Sequence, residues 1–292
     1  MPDRTASNDD IADDMAHDVA DDMADDMADD DAGEGWRDGI RDWLATFDEI
    51  APGSIEGLYV VGSAALSDWR PGSSDIDIIA VTTEPADDEV AGTLLTAHAV
   101  YAERHPAQAV DGPFFAWGDL VVPPHSITRP WTLDGVFHHD AECFEVNPVT
   151  WFTLARYGIG IRGPAVADLP IPTDLDERIR FVVDNAMSYW RGVHGELVGA
   201  IGELAPDATL PSRVPEWCLL GTCRMLYTAT TGDVASKSGA GRWAASVLGG
   251  QHRAICDAVV AMRRGAARDV GRDELVATAD AMQEALRQIA AL

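Results

Sequence analysis

Trp36, Ile40, Trp43, Leu44 and Phe47 recur three and four apart, which predicts an amphipathic first helix that Pro52-Gly53 ends. Apolar residues at 58–61 then read as a strand. A Gly62-Ser63 turn, a Pro/Gly/Ser-rich loop at 70–74 and a second strand at 75–81 follow. An alanine-rich helix over 89–104 returns the chain to a third strand, 109–117. Pro123, Pro124 and Pro130 mark a long loop, and Asn147-Pro148 opens a helix carrying Trp151, Leu154 and Ala155. Beyond a linker at Gly163-Pro164 and Pro170 to Pro172 the pattern is helical throughout, over about 175–204, 215–231, 239–248, 251–264 and 272–291. The last of these keeps Leu275, Ala279, Met282, Leu286 and Ile289 on one stripe. The pattern predicts an α/β domain over 36–163 followed by a helical bundle over 164–292.

The second strand carries the sharpest chemistry. Alternate side chains of a strand share a face, so Asp75 and Asp77 point one way and Ile76 and Ile78 the other. Two adjacent carboxylates at the head of an apolar strand repel one another, and burying them is costly unless a cation intervenes. A hard divalent ion such as Mg²⁺ takes oxygen ligands and bridges nucleotide phosphates, which suits this pair. The Gly62-Ser63 turn just upstream offers backbone N–H groups and a hydroxyl to phosphate oxygens.

Charge changes the picture in two ways. The 292-residue chain has a formal net charge of −28. Residues 1–36 hold fourteen acids against one arginine, so −13 of the −28 lies there and −15 remains for the body. Within this tail, residues 9–32 form six Asp-rich tetrads, read as a disordered acidic tail over 1–35. An excess of surface acid that repels itself in dilute buffer points to a halophile's protein. The same surface lacks the basic stripe that a nucleic-acid backbone requires. No CxxC pair occurs among Cys143, Cys218, Cys223 and Cys256, and core packing is expected for them. No basic-then-apolar leader and no run of membrane-spanning length is evident, so a cytoplasmic protein is expected.

Gly62-Ser63 followed by Asp75-Ile76-Asp77 resembles the signature of the polymerase-β-like nucleotidyltransferase superfamily. The stretches at 145–163 and 216–237 resemble the C-terminal region of aminoglycoside adenylyltransferases of the streptomycin/spectinomycin type, and more closely a group of their bacterial and archaeal relatives. The similarity spans roughly 36–264 and implies a mixed-sheet nucleotidyltransferase domain with a helical C-terminal bundle. It also implies AMP transfer from ATP to a hydroxyl of a small acceptor. It implies Mg²⁺ at a metal site of Asp75, Asp77 and Asp111, with Asp111 as general base, one methylene shorter than the family's Glu. Gly62, Ser63, Ser74, Arg224 and Lys237 then serve the nucleotide.

Ordinary roles compete for each residue. Asp111-Gly112 is a frequent turn pair, Ser63 and Ser74 suit turns and caps, and Arg224 suits a helix-surface ion pair. Lys237 is the single lysine beside twenty arginines, which points to a local demand for a compact charge. Trp151, Trp190, Trp217 and Tyr227 read as core aromatics. The acids that grip a cationic aminocyclitol have no clear counterpart, since Val214 stands where one is expected and Glu216 lies two residues on. A cleft between two domains of one chain needs no dimer, so a monomer is expected. A nucleotide-binding regulator or antitoxin-like partner of another protein is the alternative from a different class.

Overall fold

The computed structural model describes residues 35–124, 129–139 and 142–292, so the acidic repeat lies outside the described residues. The first helix, α1 (Trp36–Ile50), buries Trp36, Ile40, Trp43 and Phe47 as its spacing predicts. Trp43 stacks on Phe47 with ring centroids 3.9 Å apart. Helix α2 (Asp88–Arg104) starts where the Asp87 side chain accepts from the Glu89 and Val90 amides. It packs beside α1 on one face of the sheet.

Three strands make the centre: β1 (Gly57–Val60), β2 (Ile76–Thr82) and β3 (Val110–Ala116). β1 runs antiparallel to β2, and β2 runs parallel to β3 with α2 as the crossover. Alternation divides the residues between the faces. Ile76, Ile78, Val110 and Phe114 pack under α1 and α2. Ile79, Val81 and Phe115 pack on the opposite side with Trp151 and Leu154 of α3 (Pro148–Tyr157). Asp77 and Asp111 share this second face and are register partners across β2 and β3. That places Asp111-Gly112 inside a strand, which removes the turn reading of the pair.

The long loop expected before α3 contains a hairpin, β4 (Trp131–Leu133) and β5 (Val136–His138), added at the β3 edge. Its two-residue turn has Asp134 at φ 51° and Gly135 at φ 75°. Asp-Gly between short apolar runs is a strong hairpin signal, and three-residue strands among prolines obscured it. A further strand, β6 (Ile159–Arg162), pairs antiparallel with β1 and completes a mixed six-stranded sheet, β5-β4-β3-β2-β1-β6.

The C-terminal half is helical, as its periodicity predicts. The helix expected over 175–204 is α4 (Leu175–Asn185) and α5 (Arg191–Glu203) joined by a π-helical turn, Ala186–Trp190. A second π-helical turn, Glu216–Leu220, leads into α6 (Gly221–Thr231). Helices α7 (Lys237–Val247), α8 (Gly250–Arg263) and α9 (Arg272–Ile289) complete the bundle, and the α9 stripe from Leu275 to Ile289 enters its core. A two-residue pairing of β7 (Leu210–Pro211) with β8 (Asp269–Val270) joins the segment before the second π-helical turn to the segment before α9. All four cysteines are buried and free. Among the described residues no helix is long and apolar enough to cross a membrane.

Candidate functional site

A cleft of about 640 Å³ opens between the carboxylate face of the sheet and the helical bundle. Asp75 and Asp77 line one wall, and Arg224, Lys237 and Arg263 line the other. Residues that stand 147 (Asp77 to Arg224) to 188 (Asp75 to Arg263) positions apart in sequence therefore meet across one space.

Gly62 is required by the local geometry. Its φ is +59°, and a Cβ built there would lie 1.8 Å from Asp77 Oδ2. With no side chain in the way, the Ser63 amide donates to Asp77 Oδ2 at 3.3 Å. Among the described residues Ser63 Oγ is buried without a hydrogen-bond partner. Burial, then the neighbouring Asp75, raises the Asp77 carboxyl to about 7, against the pull of the Ser63 amide and Arg224.

Asp111 is fully buried beside Asp77. Its Oδ2 accepts from the Asp134 amide at 2.9 Å, so the overlooked β4–β5 turn holds the carboxyl in place. Asp111 Oδ1 has no hydrogen-bond partner among the described residues. Burial raises this carboxyl to about 6, although the Asp134 and Gly135 amides oppose the shift. Gly112 is needed next door, because at φ +146° its Cβ would meet the Ile78 carbonyl oxygen at 1.9 Å.

A fourth carboxylate, Glu145 just before α3, lines the cleft with Asp75 and Asp77, whereas Asp111 lies behind them off the lining. Burial, then Asp77, Asp111 and Asp75, pushes it well above the ordinary range. Sequence reasoning gave it no role. Its one signal is an acid standing in an apolar run beside the Asn147 cap of α3.

On the other wall, burial draws Arg224 down, and Asp77 counteracts this. Lys237 is the first residue of α7, whose cap Ser236 accepts from the Gly239 amide at 3.0 Å. Burial, then Arg224 and Arg263, lowers its pKa while Asp75 and Asp77 oppose the change. The surface readings of both residues are removed. Arg263, at the end of α8, is the cation that sequence reasoning missed. Its Nε donates to Asp68 Oδ2 at 3.0 Å, and its Nη2 to the Asp68 carbonyl at 2.9 Å and to Ser74 Oγ at 3.4 Å. Ser74 Oγ also accepts from the Arg70 amide, so this hydroxyl braces the loop ahead of Asp75.

Among the described residues, no three His, Cys, Asp or Glu side chains form a ready-made metal cage. The carboxylate patch nevertheless fits Mg²⁺, which is bound by one or two carboxylates together with substrate phosphates rather than by an all-protein cage. The orphaned Asp111 Oδ1 and the Gly62 gap beside Asp77 are consistent with that fit.

The aromatics divide. Trp151 is fully buried, and Tyr227 packs edge-on against Trp243. Trp190 and Trp217 line the cleft, Trp217 is 43% exposed, and Tyr189 joins them at 50% exposed. The core reading of Trp217 is therefore corrected. Each π-helical turn carries an extra residue, and Tyr189 and Trp217 stand off the buried stripe that an α-helical period predicts, while Trp190 stays in the helical core.

Residues 41–123 match the family model of the nucleotidyltransferase domain, and residues 186–285 match that of the aminoglycoside adenylyltransferase C-terminal domain. The fold resembles the crystal structure of spectinomycin adenyltransferase AAD(9) from Enterococcus faecialis with ATP and spectinomycin, at a TM-score of 0.58 and 16% identity. That likeness covers 85% of this chain and 98% of the other. No curated protein sequence matches the chain.

Proposed function

We propose that this chain, a nucleotidyltransferase-superfamily protein resembling the aminoglycoside adenylyltransferases, transfers AMP from ATP to a hydroxyl of a small acceptor. The observation that carries the reading is the opposition of Asp75 and Asp77 to Arg224, Lys237 and Arg263 across one cleft. Carboxylates that need a cation, facing Arg224 and Lys237 with Arg263 already paired to Asp68 beside them, suit a metal-complexed triphosphate placed between them.

On this reading, residues 36–163 hold the metal end and residues 164–292 close over the phosphates. Asp75 and Asp77, with Asp111 behind them, would hold Mg²⁺, which when bound neutralises the triphosphate and polarises the reacting phosphoryl group. The Ser63 hydroxyl and the amides of the Gly62 turn orient phosphate oxygens. Arg224 and Lys237 stabilise the charge that develops on the leaving pyrophosphate. Asp111, poised near 6 with a free Oδ1, accepts the acceptor's hydroxyl proton. Streptomycin and spectinomycin are the first acceptors to assay, given the family resemblance. We infer a cytoplasmic monomer that does not engage nucleic acid, on the grounds of its acidity and self-contained cleft.

The test is ATP- and Mg²⁺-dependent pyrophosphate release at high KCl with a panel of hydroxylated acceptors. Asp75→Asn and Asp77→Asn are each expected to abolish it, and unchanged turnover in either variant refutes the mechanism.

A further inference from the structure

The aromatic end of the cleft has a chemistry of its own. Tyr189 and Trp190 come from one π-helical turn and Trp217 from the other. Their rings form a closed cluster, with centroids 5.4 Å apart for Tyr189–Trp190, 6.1 Å for Tyr189–Trp217 and 5.2 Å for Trp190–Trp217. Gly221 makes room for it, since a Cβ there would lie 2.0 Å from the Trp190 ring. Two large aromatic side chains left half exposed inside a concave site forgo burial that the fold could have given them, and a flat ligand can restore it.

The charges around this cluster narrow the ligand. Apart from Arg224, Lys237 and Arg263, the helical half lines the cleft with uncharged residues, among them Phe181, Asn185 and Met225 beside the three rings. Among the described residues, no Asp or Glu of the helical half lines it. Val214, which stands where the family resemblance leads one to expect an acid, packs against the helical core, and Glu216 lies off the lining. Glu196 acts on Tyr189 from α5 but is also off the lining. The acids that line the cleft among the described residues, Asp75, Asp77 and Glu145, come from the sheet half, where the metal and phosphates are proposed to sit.

We propose that Tyr189, Trp190 and Trp217 form an acceptor subsite for an uncharged, flat-ringed hydroxylated molecule, such as an aryl glycoside, rather than for a polycationic aminocyclitol. The proposal rests on the AMP-transfer reading only for the role of the bound molecule, and binding is tested separately from chemistry. A ring would stack on the exposed Trp217 and Tyr189 faces, Asn185 would hydrogen-bond its polar substituents, and a hydroxyl would point toward the carboxylate wall.

The experiment measures binding of phenyl and 2-naphthyl β-glucoside, and of streptomycin, by calorimetry. The full chain carries Mg²⁺ and a non-hydrolysable ATP analogue, and wild type is compared with Trp217→Ala, Trp217→Phe and Tyr189→Ala. The glucosides should bind more tightly than streptomycin. Trp217→Ala should weaken them about tenfold, as loss of a stacking face does, and Trp217→Phe should restore most of the affinity. Affinity for the ATP analogue should not change. Weakened ATP-analogue binding with unchanged glucoside binding would seat the nucleotide base on these rings and overturn the proposal. Absence of glucoside binding, or tighter streptomycin binding indifferent to Trp217, would overturn it too. Trp217-dependent glucoside binding without AMP transfer to any acceptor would support the subsite and refute the transferase reading instead.

Discussion

Removing the Asp68 carboxylate tests whether one buried ion pair joins the two halves of the molecule. Asp68 and Arg263 lie 195 residues apart, meet at 3.0 Å, and have side chains only 4% exposed. Asp68 also accepts from the Ser238 amide at 2.9 Å and from Ser238 Oγ at 2.7 Å, at the start of α7. Burial pushes the Asp68 carboxyl up, yet Arg263 and the Ser238 donors outweigh it and hold the group below its ordinary value. Asp68→Ala therefore strands a buried guanidinium and two donors. Breaking a buried pair from one side costs about 3–5 kcal/mol, a large share of the ~5–15 kcal/mol that holds a domain together. Replacing both partners removes the stranded charge, so Asp68→Leu with Arg263→Met should cost clearly less than the two single changes added. Urea unfolding at 1 M KCl, followed by tryptophan fluorescence, gives the three values. Single variants that each lose under about 1 kcal/mol, or a double variant equal to their sum, would refute the reasoning.

Two further outcomes follow from charge. The Asp77 and Asp111 carboxyls stand at about 7 and about 6, above their ordinary 3.8, so the folded chain binds these protons more tightly than the unfolded chain does. Their contribution therefore favours the metal-free fold at low pH and is lost as pH climbs from about 4 to 7. The apo melting temperature should fall between pH 5 and 8, and less steeply in Asp77→Asn; an identical slope in that variant would refute this. With −15 on residues 37–292, melting should rise markedly from 0.1 to 2 M KCl, as the Debye length shrinks from about 10 Å at 0.1 M to about 3 Å at 1 M. Most of that rise should survive deletion of residues 1–33, and a flat response would remove the halophile reading.

Local chemistry made much of this protein readable from its sequence. Period-two alternation set Asp75 and Asp77 toward one side, and both line the cleft, Asp77 from β2 and Asp75 one residue ahead of it, with the Gly62-Ser63 turn against Asp77. Period-3.6 stripes located the bundle helices, because each stripe must face a core whatever its neighbours are. Other features arose only when distant segments met. The short strands β4 to β6 are stable through their ladder partners and carry little pattern of their own. The Asp111 carboxyl is fixed by the β4–β5 turn amides, and Arg263 acquires its role from Asp68 across the domain junction. Glu145 joins the carboxylates through the packing of α3. Trp217 reached the cleft because a π-helical turn shifted its phase, and one extra residue in a helix is invisible to a periodicity that tolerates it. Spacing along the chain sets which face a side chain takes, whereas the partners on that face depend on how the elements pack.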